Sequence, residues 1–210
     1  MTKISIRKES IPYVIILILA TILSYYFLPL LAIIPLILAL FVLFFFRDPF
    51  RNIEYCEKNI LSPADGKVMA ITEFYEDTFI KGKAKKVTIF LSIFNVHINR
   101  SPICGKVTYV NYRPGKYLPA FKSHASEINE RNTIGIENDK IRVLVHQITG
   151  FVARRIVCWS KLGDELKQGE KFGLIKFGSC TEIIVPYDVE IKVKKGDIVR
   201  GGITIIGVTK

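Results

Sequence analysis

Residues 11–46 form an unbroken run of 36 positions without a charge, and this segment sets the terms for the whole chain. Only Pro12, Thr21, Ser24, Pro29 and Pro35 in it fall outside the apolar set. One straight helix of that length would run about 54 Å, far beyond a hydrocarbon core of about 30 Å. Folded in half, each arm spans about 27 Å, close to what a bilayer needs. Pro29 and Pro35 bracket Leu30-Leu31-Ala32-Ile33-Ile34, and proline disrupts a helix interior, so the bend is expected here. Lys3, Arg7 and Lys8 precede the block and Arg47 and Arg51 follow it. Positive charge on both flanks predicts a helical hairpin in the cell membrane, with both ends in the cytoplasm. A single tilted span with a re-entrant tail is the competing topology. A cleaved signal peptide would have a shorter apolar core and a small-residue cleavage site, and the sequence has neither.

The expected organisation is therefore an anchor over residues 1–46 and a second domain over residues 47–210. That second part keeps 27 Lys and Arg against 18 Asp and Glu, a net charge of +9. Its apolar content excludes disorder, and four cysteines in 210 residues exclude a disulfide scaffold. It is punctuated by Gly and Pro between short runs of Val, Ile, Thr and aromatics, which predicts a mainly β fold. Residues 87–94 read as a central strand. Further strands are expected over 106–112, 141–146, 151–158, 174–177, 181–185, 190–194, 198–199 and 203–208. Residues 117–131 have the polar character of a long loop or short helix. Many short strands at close spacing favour a compact multi-stranded sandwich or barrel-like domain over a doubly wound α/β fold. The hairpin around Lys195-Gly196-Asp197 looks like that of biotinyl and lipoyl carriers, but it lacks their Met-Lys motif.

Several chemistries are excluded. There is no phosphate-binding G-x-x-x-x-G-K-[ST], no dinucleotide G-x-G-x-x-G after a strand, and no H-E-x-x-H. Cys56, Cys104, Cys158 and Cys180 lack metal-type spacing, so no metal is expected. The basic residues are scattered, without a recognition helix or an aromatic-basic motif, which argues against nucleic acid. On an anchored domain such an excess suits an anionic lipid surface.

Three polar islands remain. Ser62-Pro63-Ala64-Asp65-Gly66 is a tight turn feeding a strand, and Asp before Gly is ordinary turn chemistry. His97 stands where the apolar run ending at Phe94 gives way to Asn95-Val96-His97-Ile98-Asn99-Arg100, a place where a rigid scaffold can present an acid or base. His146 falls within a strand and reads as a packed residue, His124 as a surface group. Gly178-Ser179 lies between two strands and by itself reads as a turn. Asp65, His97 and Ser179 together form a possible orienter–base–nucleophile set, whose proximity sequence alone does not establish.

These fragments carry a resemblance. Phe46-Arg47-Asp48-Pro49-Phe50-Arg51, Ser62-Pro63-Ala64-Asp65-Gly66-Lys67-Val68, and Phe90-Leu91-Ser92 leading to Asn95-Val96-His97-Ile98-Asn99-Arg100 occur in that order. Asn129-Glu130-Arg131-Asn132, Gln147-Ile148-Thr149-Gly150 with Ala153-Arg154-Arg155-Ile156-Val157, and Phe177-Gly178-Ser179 follow. Behind a hydrophobic leader, the set resembles the short phosphatidylserine decarboxylases, the subclass that includes enzymes acting on archaetidylserine. The resemblance implies a proenzyme that cuts itself between Gly178 and Ser179. Ser179 would be the nucleophile, His97 its base, and Asp65 the orienter of His97. The cofactor would be a covalent pyruvoyl group made from Ser179, serving as an electron sink in place of pyridoxal phosphate. The products of the cut would be chains 1–178 and 179–210, held as a heterodimer. The substrate would be a serine phospholipid, decarboxylated to the ethanolamine lipid, with His97 also a candidate proton donor and Arg100 or another arginine a candidate for the lipid phosphate.

Two departures are visible. Cys180 stands where short members commonly have Arg and longer ones Thr. Phe94 stands where longer relatives have a second histidine, so a two-histidine mechanism does not carry over. The alternative from another class is a catalytically silent, membrane-anchored β-domain that binds anionic lipid.

Overall fold

The computed structural model describes residues 4–118, 128–150, 155–176 and 179–210, without the side chain of Ser179. The chain divides into two compact units, Met1–Phe50 and Arg51–Lys210.

In the first unit the apolar block forms two helices, α1 (Ile11–Phe27) and α2 (Ile33–Phe45), joined by a 3-10 turn at Pro29–Ala32. The break falls at Leu28, whose backbone is extended (φ −154°) just before Pro29. A residue preceding proline is pushed out of the α region, which accounts for the break here. Pro35 does not mark the bend. It lies in the first turn of α2, where its missing N–H would have had no intrahelical acceptor. No residue of α1 is buried, so the helix presents apolar side chains outward. The stretch Lys8–Phe27 is long and apolar enough to cross a membrane by length and composition. The unit continues past the helices because strand β1 (Ile4–Ile6) pairs with β2 (Arg47–Pro49).

The second unit is mainly β. A curled eight-stranded sheet, a half-barrel, contains β4 (Gly66–Glu76), β5 (Gly82–Leu91), β7 (Gly105–Arg113), β8 (Arg131–Glu137), β9 (Arg142–Thr149), β11 (Glu165–Leu166), β13 (Ser179–Pro186) and β15 (Ile198–Val199). Their order across the sheet is β11-β7-β8-β9-β13-β5-β4-β15, antiparallel throughout. Two three-stranded sheets complete the unit. One is β10 (Arg155–Cys158), β12 (Lys171–Lys176) and β6 (Ile98–Arg100); the other is β14 (Glu190–Ile191), β16 (Ile205–Val208) and β3 (Asn59–Leu61).

Period-two alternation builds the core. Val87, Ile89 and Leu91 of β5, Ile183 and Val185 of β13, Val143 and Val145 of β9, and Ile134 and Ile136 of β8 share one apolar cluster. Ala84, Leu144 and Ile184 belong to a smaller one with Phe79 on the opposite face.

The expected strands recur with shifted ends. The 87–94 run stops at Leu91, because the Asn95 side chain accepts from the Ser92 N–H and hydroxyl, both at 2.9 Å, and folds the chain into a turn. Of the alternating 190–194 segment, Glu190–Ile191 forms the strand, and Lys192 N–H adds one bond to the Ile206 carbonyl at 2.8 Å. Strand β8 was not expected, since Gly135 interrupts its pattern. A side chain there would collide with the Phe79 ring and Tyr109, and those aromatics pack over the glycine. Most of the polar 117–131 segment lies outside the described residues.

Candidate active site

Antiparallel order gathers particular strand ends at one end of the large sheet. β5 finishes there, β13 starts there, β9 finishes there, and β4 and β8 start there. Ser179, the first residue of β13, pairs with Leu91 on one side and Thr149 on the other. Lys67, near the start of β4, pairs with Phe90. A side chain at Gly66 would collide with the Phe90 carbonyl, so only glycine lets the Asp65 turn approach β5 this closely.

The chain changes sheets twice beside this row. Residues 92–97 carry it from β5 to β6, out of the eight-stranded sheet. β12, in the smaller sheet, ends at Lys176, and β13, in the large sheet, begins at Ser179. At these strand ends Ile175 N–H donates to the His97 carbonyl at 3.1 Å, and Ser179 pairs with Leu91. His97 thus neighbours the end of β12, and the backbone of Ser179 neighbours the end of β5. Gly178 itself, and the Ser179 side chain, lie outside the described residues.

His97 is buried, at 2% exposure. Its Nδ1 lies 3.0 Å from the Asn95 carbonyl oxygen. An Nδ1–H donating to that carbonyl puts the lone pair of the neutral ring on Nε2, the form a general base requires. Asp65, the expected orienter of His97, has hydrogen-bond partners on both of its carboxylate oxygens. One of its oxygens takes Arg51 Nη2 at 2.7 Å and the other takes the Gly201 N–H at 2.8 Å. Arg51 also donates to the Gly201 carbonyl. Asp65 therefore clamps its own turn to the 200–202 segment, and the Asn95 carbonyl holds the histidine. Arg51 stood in the sequence as a flanking charge and as the end of the 46–51 fragment, with no site role expected of it.

Cys180 is fully inside the sheet, and burial pushes its thiol pKa well above the ordinary value. It is a neutral, small packing residue beside Ser179, not a rival nucleophile. Arg100 is also buried, with Nη1 donating to the Gly169 carbonyl at 3.0 Å. His124 lies outside the described residues.

His146 sits on the opposite face, its Nδ1 2.8 Å from the Thr133 hydroxyl. Burial, then the charges of Arg131, Lys86 and Arg113, push its pKa down to about 3. It is neutral in the folded state at every physiological pH. The unfolded chain takes up that proton near pH 6.5 and the folded chain does not. Stability therefore falls as the pH drops from about 6.5 towards 3. Urea unfolding at pH 7 and pH 5 should show this loss, and His146→Gln should shrink it.

An open cleft of about 910 Å³ lies at the far end of the sheet, lined by residues such as Gly82, Lys83, Arg142 and Tyr187. Register, not cavity size, marks the candidate site.

The family model described as phosphatidylserine decarboxylase matches residues 38–207. The chain belongs to the phosphatidylserine decarboxylase family. It is thereby an enzyme of the carboxy-lyase class. A phosphatidylserine decarboxylase proenzyme of Carboxydothermus hydrogenoformans is 62% identical over 172 residues, 81% of each chain. One from Symbiobacterium thermophilum is 52% identical over 171 residues, covering 81% of this chain and 80% of its own. One from Syntrophus aciditrophicus is 43% identical over 205 residues, 96% of each. The last alignment includes the apolar N-terminal unit.

Sequence reading missed a set of polar side chains behind the site: Asn99, Gln147, Asn132 and Thr181 are all buried and hydrogen-bonded in series. The signal was present. Asn132, Gln147 and Thr181 hold positions where alternation calls for apolar residues.

Proposed function

We propose that this chain is a self-processing, pyruvoyl-dependent decarboxylase of serine phospholipids. The observation that supports the reading is that the buried His97 is bonded to the end of β12, while β13 begins at Ser179 against the end of β5, the strand that leads to His97.

In the first reaction His97 takes the proton of the Ser179 hydroxyl, and the oxygen attacks the Gly178 carbonyl carbon. The Gly178–Ser179 peptide bond breaks, its nitrogen takes up a proton, and an ester joins the two residues. Removal of the Ser179 Cα proton then expels the Gly178 carboxylate from Cβ. Addition of water and loss of ammonia convert the dehydroalanine left behind into pyruvoyl. Asn95 fixes the tautomer of His97, and Asp65 holds the turn beside it through Arg51 and Gly201.

The fold suits a cut at this point. Three strands of the 179–210 segment pair with strands of the 1–178 segment: β13 with β5 and β9, β15 with β4, and β16 with β3. Only β14–β16 is internal to the shorter piece. The two products stay joined as a heterodimer by backbone hydrogen bonds.

The pyruvoyl group would supply the electron sink for loss of carbon dioxide. The residues around it hold it still. β13 is fixed on both sides from its first residue, and His97 is the candidate proton donor to the product carbon. The reacting groups all lie in the serine head, so ester-linked and ether-linked lipids would both serve. The apolar helix pair would keep the enzyme in the cell membrane, with the β unit on the cytoplasmic side, where anchoring raises the effective concentration of a lipid that does not leave the bilayer.

The test is turnover of phosphatidylserine in mixed micelles by the full chain, with and without phenylhydrazine. The expected result is ethanolamine lipid and carbon dioxide, with activity lost after the carbonyl reagent. Lipid binding without turnover would favour the silent lipid-binding alternative. Turnover indifferent to phenylhydrazine would remove the pyruvoyl group from the account.

A further inference from the structure

Behind the candidate site, one register row of the large sheet departs from its apolar pattern. Thr181 of β13 faces Gln147 of β9, which faces Asn132 of β8. Each stands two residues before an Ile or Val of the core: Ile183, Ile134, and, along β9 in the other direction, Val145. Val or Ile would fill these positions without any polar group to satisfy. The side chains instead form a one-directional chain. Asn132 donates to Gln147 Oε1 at 2.9 Å, Gln147 donates to Asn99 Oδ1 at 2.9 Å, and Asn99 donates to Thr181 Oγ1 at 3.0 Å. Asn99, Gln147 and Thr181 have no exposure at all.

Asn99 is the hub. It lies in β6, in the smaller sheet, two residues after His97. Through Thr181 it reaches the large sheet two residues after Ser179. Its amide nitrogen also lies 3.4 Å from the Pro63 carbonyl, and the next residue, Arg100, donates its N–H to that same carbonyl at 2.9 Å. One side chain thus ties together the Asp65 turn, the His97 strand and the Ser179 strand. Gln147 fixes which way the Asn99 amide points, because Asn99 Oδ1 must accept from it.

We infer that Asn99, oriented by Gln147 and bonded to Thr181, is a positioning residue that sets His97 against the Gly178–Ser179 bond across the seam between the two sheets. This rests on the self-cleavage reading above. A small slip of one sheet over the other would separate base from nucleophile, and misplacement by about 1 Å can cost about 10²-fold in rate. After the cut Asn99 and Thr181 would lie on different product chains, so this bond would join them.

The experiment measures self-cleavage of full-length protein by intact mass after synthesis in a cell-free system. The proteins compared are wild type, Thr181→Val, Thr181→Ser, Asn99→Ala, and the Asn99→Ala/Thr181→Val double variant. Thr181→Val preserves shape and β propensity but removes the hydroxyl. It should slow cleavage at least tenfold, while Thr181→Ser, which restores the acceptor, should cleave within about twofold of wild type. The double variant should be no slower than Asn99→Ala alone, because the bond that Thr181→Val removes is already lost in Asn99→Ala. Cleavage of Thr181→Val at the wild-type rate would overturn the inference while leaving self-cleavage intact. So would slow cleavage that Thr181→Ser fails to restore, or effects that multiply in the double variant. A wild type that stays uncut would overturn the underlying reading as well.

Discussion

Ser179→Ala is expected to leave one 210-residue chain with no decarboxylase activity, a loss on the order of 10⁴-fold or more. The substitution removes the nucleophile and the atoms from which the cofactor would be made, so no later step can compensate. Its effect on stability should be small. The backbone pairs of residue 179 with Leu91 and Thr149 do not depend on the side chain. Intact mass and lipid turnover on one preparation test both halves of the expectation, and a thermal midpoint within a few degrees of wild type separates lost chemistry from lost fold. Measurable turnover by this variant would mean that the electron sink does not come from residue 179.

His97→Ala is expected to slow self-cleavage by about 10²–10⁴-fold, the usual contribution of a positioned general base. The variant differs from Ser179→Ala in keeping the nucleophile, so its chain should still be cut on prolonged incubation. The hydrogen bond from Ile175 N–H uses the His97 backbone carbonyl and survives the substitution. A folded protein with a slow cut is therefore the expected outcome. Once cut, the variant also reports on the second reaction. Low turnover per pyruvoyl group would assign His97 the proton to the product carbon, and normal turnover would restrict it to maturation. Cleavage of His97→Ala at the wild-type rate would remove it from the mechanism.

The helix pair was legible because 36 uncharged residues leave a chain few choices, and the bend because proline acts on its predecessor as well as itself. Leu28 obeyed that second rule, while Pro35 could be absorbed in a first helical turn. In the β unit, alternation revealed the strands that feed the core. It failed at β8, where Gly135 hides a core strand because aromatics from elsewhere pack over it. That compensation is tertiary and leaves no local mark. Strand ends were shifted for a related reason: Asn95 ends β5 by bonding back to Ser92, a choice made by one side chain within an otherwise apolar run.

For the site, the three islands at Asp65, His97 and Ser179 could be named from sequence, but the bonds among their neighbours could not. Asp65 proved to be held by Arg51 and Gly201, residues 14 and 136 positions away. Pairings of that kind depend on sheet order, which sequence periodicity does not encode. The polar row of Asn132, Gln147 and Thr181 was readable in principle. Each breaks the apolar rhythm of a core-facing position, and a polar residue there must find a partner or be costly to bury.

The most direct measurement is the intact mass of purified wild-type protein, followed by carbonyl labelling of its smaller fragment. The account predicts two chains, residues 1–178 and a 32-residue piece beginning at 179. The smaller should lack a free α-amine, carry the mass of an N-terminal pyruvoyl group, and react with phenylhydrazine. A single chain of 210 residues in active protein, or a smaller fragment with an ordinary serine amine at its start, would contradict it.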